Sequence, residues 1–276
     1  MKKKINMFAL LCHTLLTAGG LLMLFPFLLA VLGSFKPSQD VANFPYGFLT
    51  TNFTLENYTI IFSKLDFLRV TGNTVFLTAV RTSCVLYTSA LCGYVFSKMH
   101  FRGRDQIFTC LLVTMLIPGT VMLVPRYQMM MWFGWLDSYT AIIMPGLFQT
   151  FGIFMMRQFL MGIPDYFVDA GCIDGASEMY IFHRLIMPLL KGGLFSLGVL
   201  QVMDNWNEFL WPFLVLNSKS LYTLPIALRS FSNSYWNDYS WMLAGVCISM
   251  IPLLLIYMIG QDKIIDGLAH SGATGM

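Results

Sequence analysis

Apolar residues in this chain come in long unbroken runs, without the alternation of a half-buried strand. A membrane-crossing helix needs about 20 mostly apolar residues, and such runs predict helices because lipid cannot satisfy an open backbone. Six stretches qualify: residues 8–32, with a kink at Pro26, then 72–96, 106–124, 139–160, 193–216 and 241–259. The expected fold is therefore an all-α membrane protein with six transmembrane helices. The start, Met1 to Leu16, has the look of a signal peptide. However, no clean small-residue cleavage site follows and the apolar run continues to Val31, which favours a retained span.

Composition agrees. Hydrophobic residues are 57% of 276, charged residues 11%, and mean hydropathy is +0.66. A water-facing surface needs far more charge, about 25% of residues. The net charge of +3 says little about partners, but the placement of Lys and Arg sets orientation. With the N-terminus inside, Lys2, Lys3, Lys4, Lys98, Arg102, Arg104, Arg157, Arg184, Lys191 and Lys263 fall on the inner side. Lys36, Lys64, Arg69, Arg126, Lys219 and Arg229 fall outside. Both termini are then cytoplasmic. Trp132 and Trp135 fall in one outer loop, and Tyr222, Tyr235, Trp236, Tyr239 and Trp241 in another, as interface aromatics do. The six cysteines form no CxxC pair and read as small apolar residues.

One inner loop stands apart. Residues 163–193 read as two short helices joined by a turn. Asp165 after Pro164 is placed to cap the first helix, and Phe167, Ala170 and Ile173 give it an apolar stripe. Asp174-Gly175 is a turn dipeptide, and Ser177 can cap the second helix. That helix carries Phe182, Leu185 and Ile186 on one side and is expected to end before Pro188. A short, amphipathic loop with an acidic outer face reads either as a pair of helices lying on the membrane or as a docking element.

The same residues resemble the EAA loop of binding-protein-dependent ABC importer permeases: Ile163-Pro164, Asp169-Ala170-Gly171, Asp174-Gly175-Ala176-Ser177, Phe182, Ile186 and Met187-Pro188. Two positions depart from that pattern. Asp169 stands for Glu, and Gly171 for the second Ala, which should loosen the helix by about 1 kcal/mol. Trp206-Asn207-Glu208-Phe209-Leu210-Trp211-Pro212 and Tyr222-Thr223-Leu224-Pro225 resemble the carbohydrate branch, in particular the maltose-type second permease subunit. So do Ser34-Phe35-Lys36-Pro37, Phe53-Thr54-Leu55-Glu56-Asn57-Tyr58 and the ending Gly267-Leu268 with Ser271-Gly272-Ala273, although Gly275-Met276 replaces the usual Lys-Gly.

The resemblance implies a type I ABC importer transmembrane domain. Its first helix and outer loop would occupy residues 1–70, its core 71–260 with the coupling loop 163–192, and its cytoplasmic tail 261–276. It implies a non-catalytic subunit in a prokaryotic plasma membrane, working with a second homologous permease, two ATP-binding subunits and an extracytoplasmic binding protein. No nucleic acid is involved. ATP and Mg would be used by the ATPase partner; the sequence has no GxxxxGK[ST] loop, and this chain is expected to bind no cofactor or metal. ATPase closure would act through Asp169, Ala170, Gly171, Asp174, Gly175, Ala176 and Ser177.

The fifth stretch also carries Gln201, Asp204, Asn205, Asn207 and Glu208. Spacings of three, four and seven put Gln201, Asp204 or Asn205, and Glu208 on one helix face. Such groups inside a span line a solute pathway or join helices, and Arg81 is a potential partner for a carboxylate. A sugar or oligosaccharide is the expected cargo, with glycerol phosphate or another small polar solute as the alternative. A secondary transporter would not need the folded loop. A membrane enzyme would need a catalytic set, and the four scattered histidines with no HExxH or GxSxG offer none.

Overall fold

The computed structural model describes residues 7–43, 45–49, 51–230 and 239–273. Lys2, Lys3, Lys4, Tyr235, Trp236, Gly275 and Met276, which carried expectations above, lie outside them. The described residues are helical or irregular: α1 (Met7–Ser34), α2 (Ser38–Ala42), α3 (Glu56–Lys64), α4 (Phe67–Lys98), α5 (Arg104–Thr114), α6 (Leu123–Trp132), α7 (Thr140–Ile143), α8 (Thr150–Met161), α9 (Tyr166–Ile173), α10 (Glu178–Tyr180), a π-turn (Ile181–Ile186), α11 (Met187–Leu189), α12 (Lys191–Asn207), α13 (Leu210–Val215), α14 (Leu224–Arg229) and α15 (Tyr239–Ala273).

Among the described residues, three helices are long and apolar enough to cross a membrane unbroken: Leu10–Ser34, Phe67–Lys98 and Tyr239–Met258. A fourth arises if Glu178–Leu189 and Lys191–Asn207, bent by 78°, are taken as one span. The other three apolar stretches are interrupted. Residues 106–124 divide at a turn containing Pro118-Gly119, between α5 and α6. Residues 139–160 divide at Met144–Gly146, a 3-10 turn containing Pro145, followed by Gln149 in extended conformation. Residues 193–216 divide at Glu208, whose backbone is also extended (ψ 117°). Uniform hydropathy hides such breaks because it does not depend on backbone geometry. Neighbouring side chains satisfy the exposed carbonyls, as a membrane interior demands. Thr88 Oγ1 donates to Leu147 O at 2.6 Å, and Trp211 Nε1 to Ala141 O at 2.9 Å.

The chain divides into two compact units, residues 1–67 with 227–251, and 68–226 with 252–276. In the first unit, Asn57 Nδ2 donates to Ser34 O and Lys36 O, at 2.8 and 2.9 Å. It thereby closes the end of α1, whose last carbonyls have no helical partner. Ile61 and Ala244 are buried beside Tyr58, Leu65, Phe67 and Trp241, and Lys64 Nζ lies 3.9 Å over the Trp241 ring.

The second unit has two main apolar clusters. One joins Leu77 of α4, Met130 of α6, Ala141 and Ile142 of α7, Trp211 and Val215 of α13, and Ile226 of α14. The other joins Ala90 and Tyr94 of α4, Met155, Met156 and Leu160 of α8, Ile181, Phe182 and Ile186 of the π-turn, Leu190, and Leu197 of α12. The loop that stood apart in the sequence thus contributes to a core, through Ile181, Phe182 and Ile186 above all.

Candidate functional site: a folded loop and a polar stripe

The loop follows its expected plan with four local corrections. Gly175 has φ +72°, a left-handed value that glycine adopts without strain, so the Asp174-Gly175 turn is real. Ser177 Oγ accepts from Tyr180 N at 3.3 Å and caps the second helix. Asp165, by contrast, makes no capping bond. Its carboxylate accepts instead from Lys98 Nζ at 2.5 Å. That hydrogen bond and the charge beside it hold the Asp165 carboxyl below the usual carboxylate range.

The apolar stripe is also shifted. Phe167 and Val168 pack on the core cluster and Gly171 is buried, whereas Ala170 is exposed and Ile173 is 85% exposed. Of the three-residue row only Phe167 meets the core, because the helix turns its contact strip through Val168 to Gly171 and leaves Ala170 and Ile173 outside. Gly171 is where the two loop helices touch: a Cβ built there would stand 2.8 Å from Ile181 Cγ1 and 3.1 Å from Leu185 Cδ1. Glycine therefore allows close packing here as well as loosening the helix. Finally, the second helix does not stop before Pro188. The π-turn Ile181–Ile186 passes it into α11, where Pro188 occupies the first turn and its missing N–H is harmless. The bend of 78° falls between this helix and α12.

Asp169, Ala170, Asp174, Gly175 and Ser177 are exposed, while Ala176 packs against the core cluster. Tyr166 (59%) and Ile173 (85%) add apolar area to the exposed side. The loop is fixed from behind by residues that no motif had singled out. Tyr94 Oη donates to Glu178 Oε2 at 2.8 Å, Lys98 Nζ donates to Ile163 O and Asp165, and Tyr87 Oη lies 3.3 Å from His183 Nε2. All three anchors lie on α4, at spacings of seven and four. The only sequence signal was polar groups near the end of an apolar run.

The polar residues of the fifth stretch do not share one face. Gln201 is buried and its Nε2 donates to Gln149 Oε1 at 2.7 Å; Asn205 is buried and its Nδ2 donates to Thr82 Oγ1 at 3.2 Å. Asp204 and Asn207 are exposed, with Asn207 Nδ2 donating to Met203 O at 2.8 Å. Glu208 lies beyond the last residue of α12, so helical spacing does not apply to it. It forms an ion pair with Arg81 of α4, the pairing the sequence had left open. Among the described residues, no group of three or more His, Cys, Asp or Glu is placed to hold a metal.

Residues 87–269 match the sequence profile of the family described as the binding-protein-dependent transport system inner membrane component. The arabinooligosaccharides transport system permease protein AraQ of Halalkalibacterium halodurans is 32% identical, over 95% of this chain and 96% of its own length. AraQ of Bacillus subtilis is 33% identical over 93% and 92%. The lactose transport system permease protein LacG of Rhizobium radiobacter is 28% identical over 94% of each chain. The fold matches a chain of a bacterial ABC transporter involved in import of the acidic polysaccharide alginate, with a TM-score of 0.82 over 95% of this chain and 98% of that one, at 21% identity. The profile match and the two relatives above 30% identity lead to one conclusion: the chain belongs to the binding-protein-dependent inner membrane permeases and is the non-catalytic, membrane-spanning subunit of an ATP-driven importer.

Proposed function

We propose that this permease carries a sugar or oligosaccharide, as a maltose-type second subunit paired with a homologous permease. Two cytoplasmic ATPases drive it, and an extracytoplasmic binding protein delivers its cargo. The named sugar-transporting relatives support the substrate class. The chain crosses the membrane six times in this reading, with the three broken stretches counted as crossings and both termini cytoplasmic. Residues 163–192 couple it to an ATPase.

The observation that carries the coupling role is the loop's construction. Its inner side is bound to the core through Gly171, Phe182 and Ile186, and its outer side presents Tyr166, Asp169, Ile173 and Asp174 to solvent. An apolar residue as exposed as Ile173, with Asp169 one turn before it and Asp174 beside it in the chain, fits a partner groove of complementary charge. Displacement of such a base is transmitted to α8 and α12, which share its core. Asp204 and Asn207 face the solute pathway, while Gln201, Asn205 and Glu208 hold helices together.

Copurification with an ATPase, and vanadate-sensitive uptake in vesicles, test the complex. Stimulation of ATP hydrolysis by the binding protein, loaded in turn with pentose oligosaccharides, hexose oligosaccharides and glycerol phosphate, tests the cargo. Stimulation by glycerol phosphate alone would replace the carbohydrate reading.

A further inference from the structure

The three chain breaks of the second unit lie next to one charge cluster. Arg81, in α4, pairs with Glu208 at the α12–α13 break. Its guanidinium also lies against the backbone of Gly146, at the break between α7 and α8. A Cβ on Gly146 would stand 3.1 Å from both Arg81 Nε and Nη2. Arg126, on α6 just past the break after α5, holds its guanidinium 4.0 Å over the ring of Trp211. Trp211 follows Glu208 by three residues. The Nε atoms of Arg81 and Arg126 are enclosed, and neither has a hydrogen-bond partner among the described residues. Burial is the main influence on the Arg126 guanidinium and disfavours its charge, which Arg81 also opposes and Glu208 favours. One carboxylate, engaged with Arg81, therefore sits at an extended residue between two helices, three positions from the tryptophan that carries the second arginine.

This arrangement answers a physical difficulty of transport. A carboxylate largely buried within a membrane protein, as that of Glu208 is, is costly to leave unpaired. Alternating access moves packed helices relative to one another. One ion pair across moving elements would either oppose that motion or be broken at high cost. A second cation, held on a side chain three residues along from the same carboxylate, removes the conflict, because each state then provides a partner. The Trp211 face holds the waiting guanidinium by a cation–π contact that is weaker than an ion pair and so readily given up.

We propose that Glu208 is a two-position switch, paired with Arg81 in the state described here and with Arg126 after the α12–α13 break rearranges during transport. Arg126 is then a positioning residue for the second state. No proton or electron moves; one ion pair is exchanged for another.

The test uses the whole complex in lipid vesicles and reads ATP hydrolysis stimulated by loaded binding protein. It rests on the permease reading, and absence of stimulation in the unaltered complex would overturn that reading. Arg126→Gln is expected to assemble and to lose about tenfold of the stimulation. In a Glu208→Gln background the same substitution is expected to have no further effect, because an amide needs no cation. Loss of equal size in both backgrounds means that Arg126 only packs, and overturns the switch alone. So does full stimulation in Arg126→Gln, or its failure to assemble, since the resting pair does not include it. Arg81→Gln gives an independent reading: Glu208 passes to Arg126 and hydrolysis no longer depends on the binding protein. Unchanged dependence there also overturns the switch.

Discussion

Gly171 shows how one missing methyl can serve two ends. It costs the first loop helix about 1 kcal/mol of propensity, yet it lets Ile181 approach to within what would be 2.8 Å of a Cβ. Gly171→Ala should therefore destabilise the loop despite better propensity, by about 1–3 kcal/mol of overpacking. Ile181→Val, which trims the opposing side chain, should recover part of the loss. Protease protection of the loop in membranes measures both, and a Gly171→Ala loop more protected than the parent would refute the packing account. Asp137 is a second residue with a role of its own. It holds φ +55° and accepts from Ser218 Oγ at 2.5 Å and from Asn217 N and Ser218 N at 2.8 Å each. These bonds, the Ser218 hydroxyl foremost, hold its carboxyl below the usual range. A depressed pKa contributes stability that is present above the unfolded value, about 3.9 for Asp, and is lost as pH falls through the lower folded value. Hydrogen exchange at the Asn217 and Ser218 amides should stay slow at neutral pH and quicken only below about pH 4. Asp137→Ala should make it fast throughout.

At the level of elements, the turn between α9 and α10 is the most exacting. Proline fixes φ near −65° and Gly175 needs +72°, so Gly175→Pro should misdirect the second loop helix and abolish uptake while membrane insertion persists. Asp169→Lys should do the same by reversing charge on the exposed side, with the fold intact. Normal uptake in both would remove the coupling role. Ser177→Ala, losing one cap, should cost about 1 kcal/mol and weaken uptake partially. This loop was readable in the sequence because its signals are local: a turn dipeptide, a capping serine, a proline. Its inward strip was not, since Gly171 contacts Ile181 through tertiary packing that no periodicity in eight residues can specify. The unbroken spans α1, α4 and α15 were legible for the reason that length and hydropathy suffice for a continuous helix. The broken ones were legible as apolar stretches alone. Whether Pro145 kinks or ends a helix depends on Thr88 and Trp211, far away in sequence, being present to satisfy the freed carbonyls. The α4 anchors Tyr94 and Lys98 were invisible for the same reason, as each makes sense only through a partner about 65–84 residues further along.

For the molecule as a whole, the polar groups of α12 divide by direction, and that division makes a prediction. Gln201 and Asn205 spend their hydrogen bonds on Gln149 of the α7–α8 break and on Thr82 of α4. They act as joints between helices, where a polar contact in apolar surroundings is worth most when satisfied and costs most when severed. Among the described residues Asp204 has no such partner, and it is exposed on the surface of this chain. A carboxylate on a membrane-spanning helix faces water or another protein rather than lipid, and that exposure supports the proposal that Asp204 and Asn207 line the solute path. Asp204→Asn keeps the shape and removes the charge. It should leave assembly and thermal stability unchanged and alter uptake severalfold, through the apparent affinity for cargo. Gln201→Leu should behave in the opposite way. It leaves the half-buried Gln149 without its partner, lowers stability by about 1 kcal/mol, and reduces uptake in proportion to the assembled complex that remains. Uptake normalised to assembled complex separates the two. If Asp204→Asn is normal on that measure and Gln201→Leu is not, the pathway runs along the buried side of α12 and the assignment of faces is reversed.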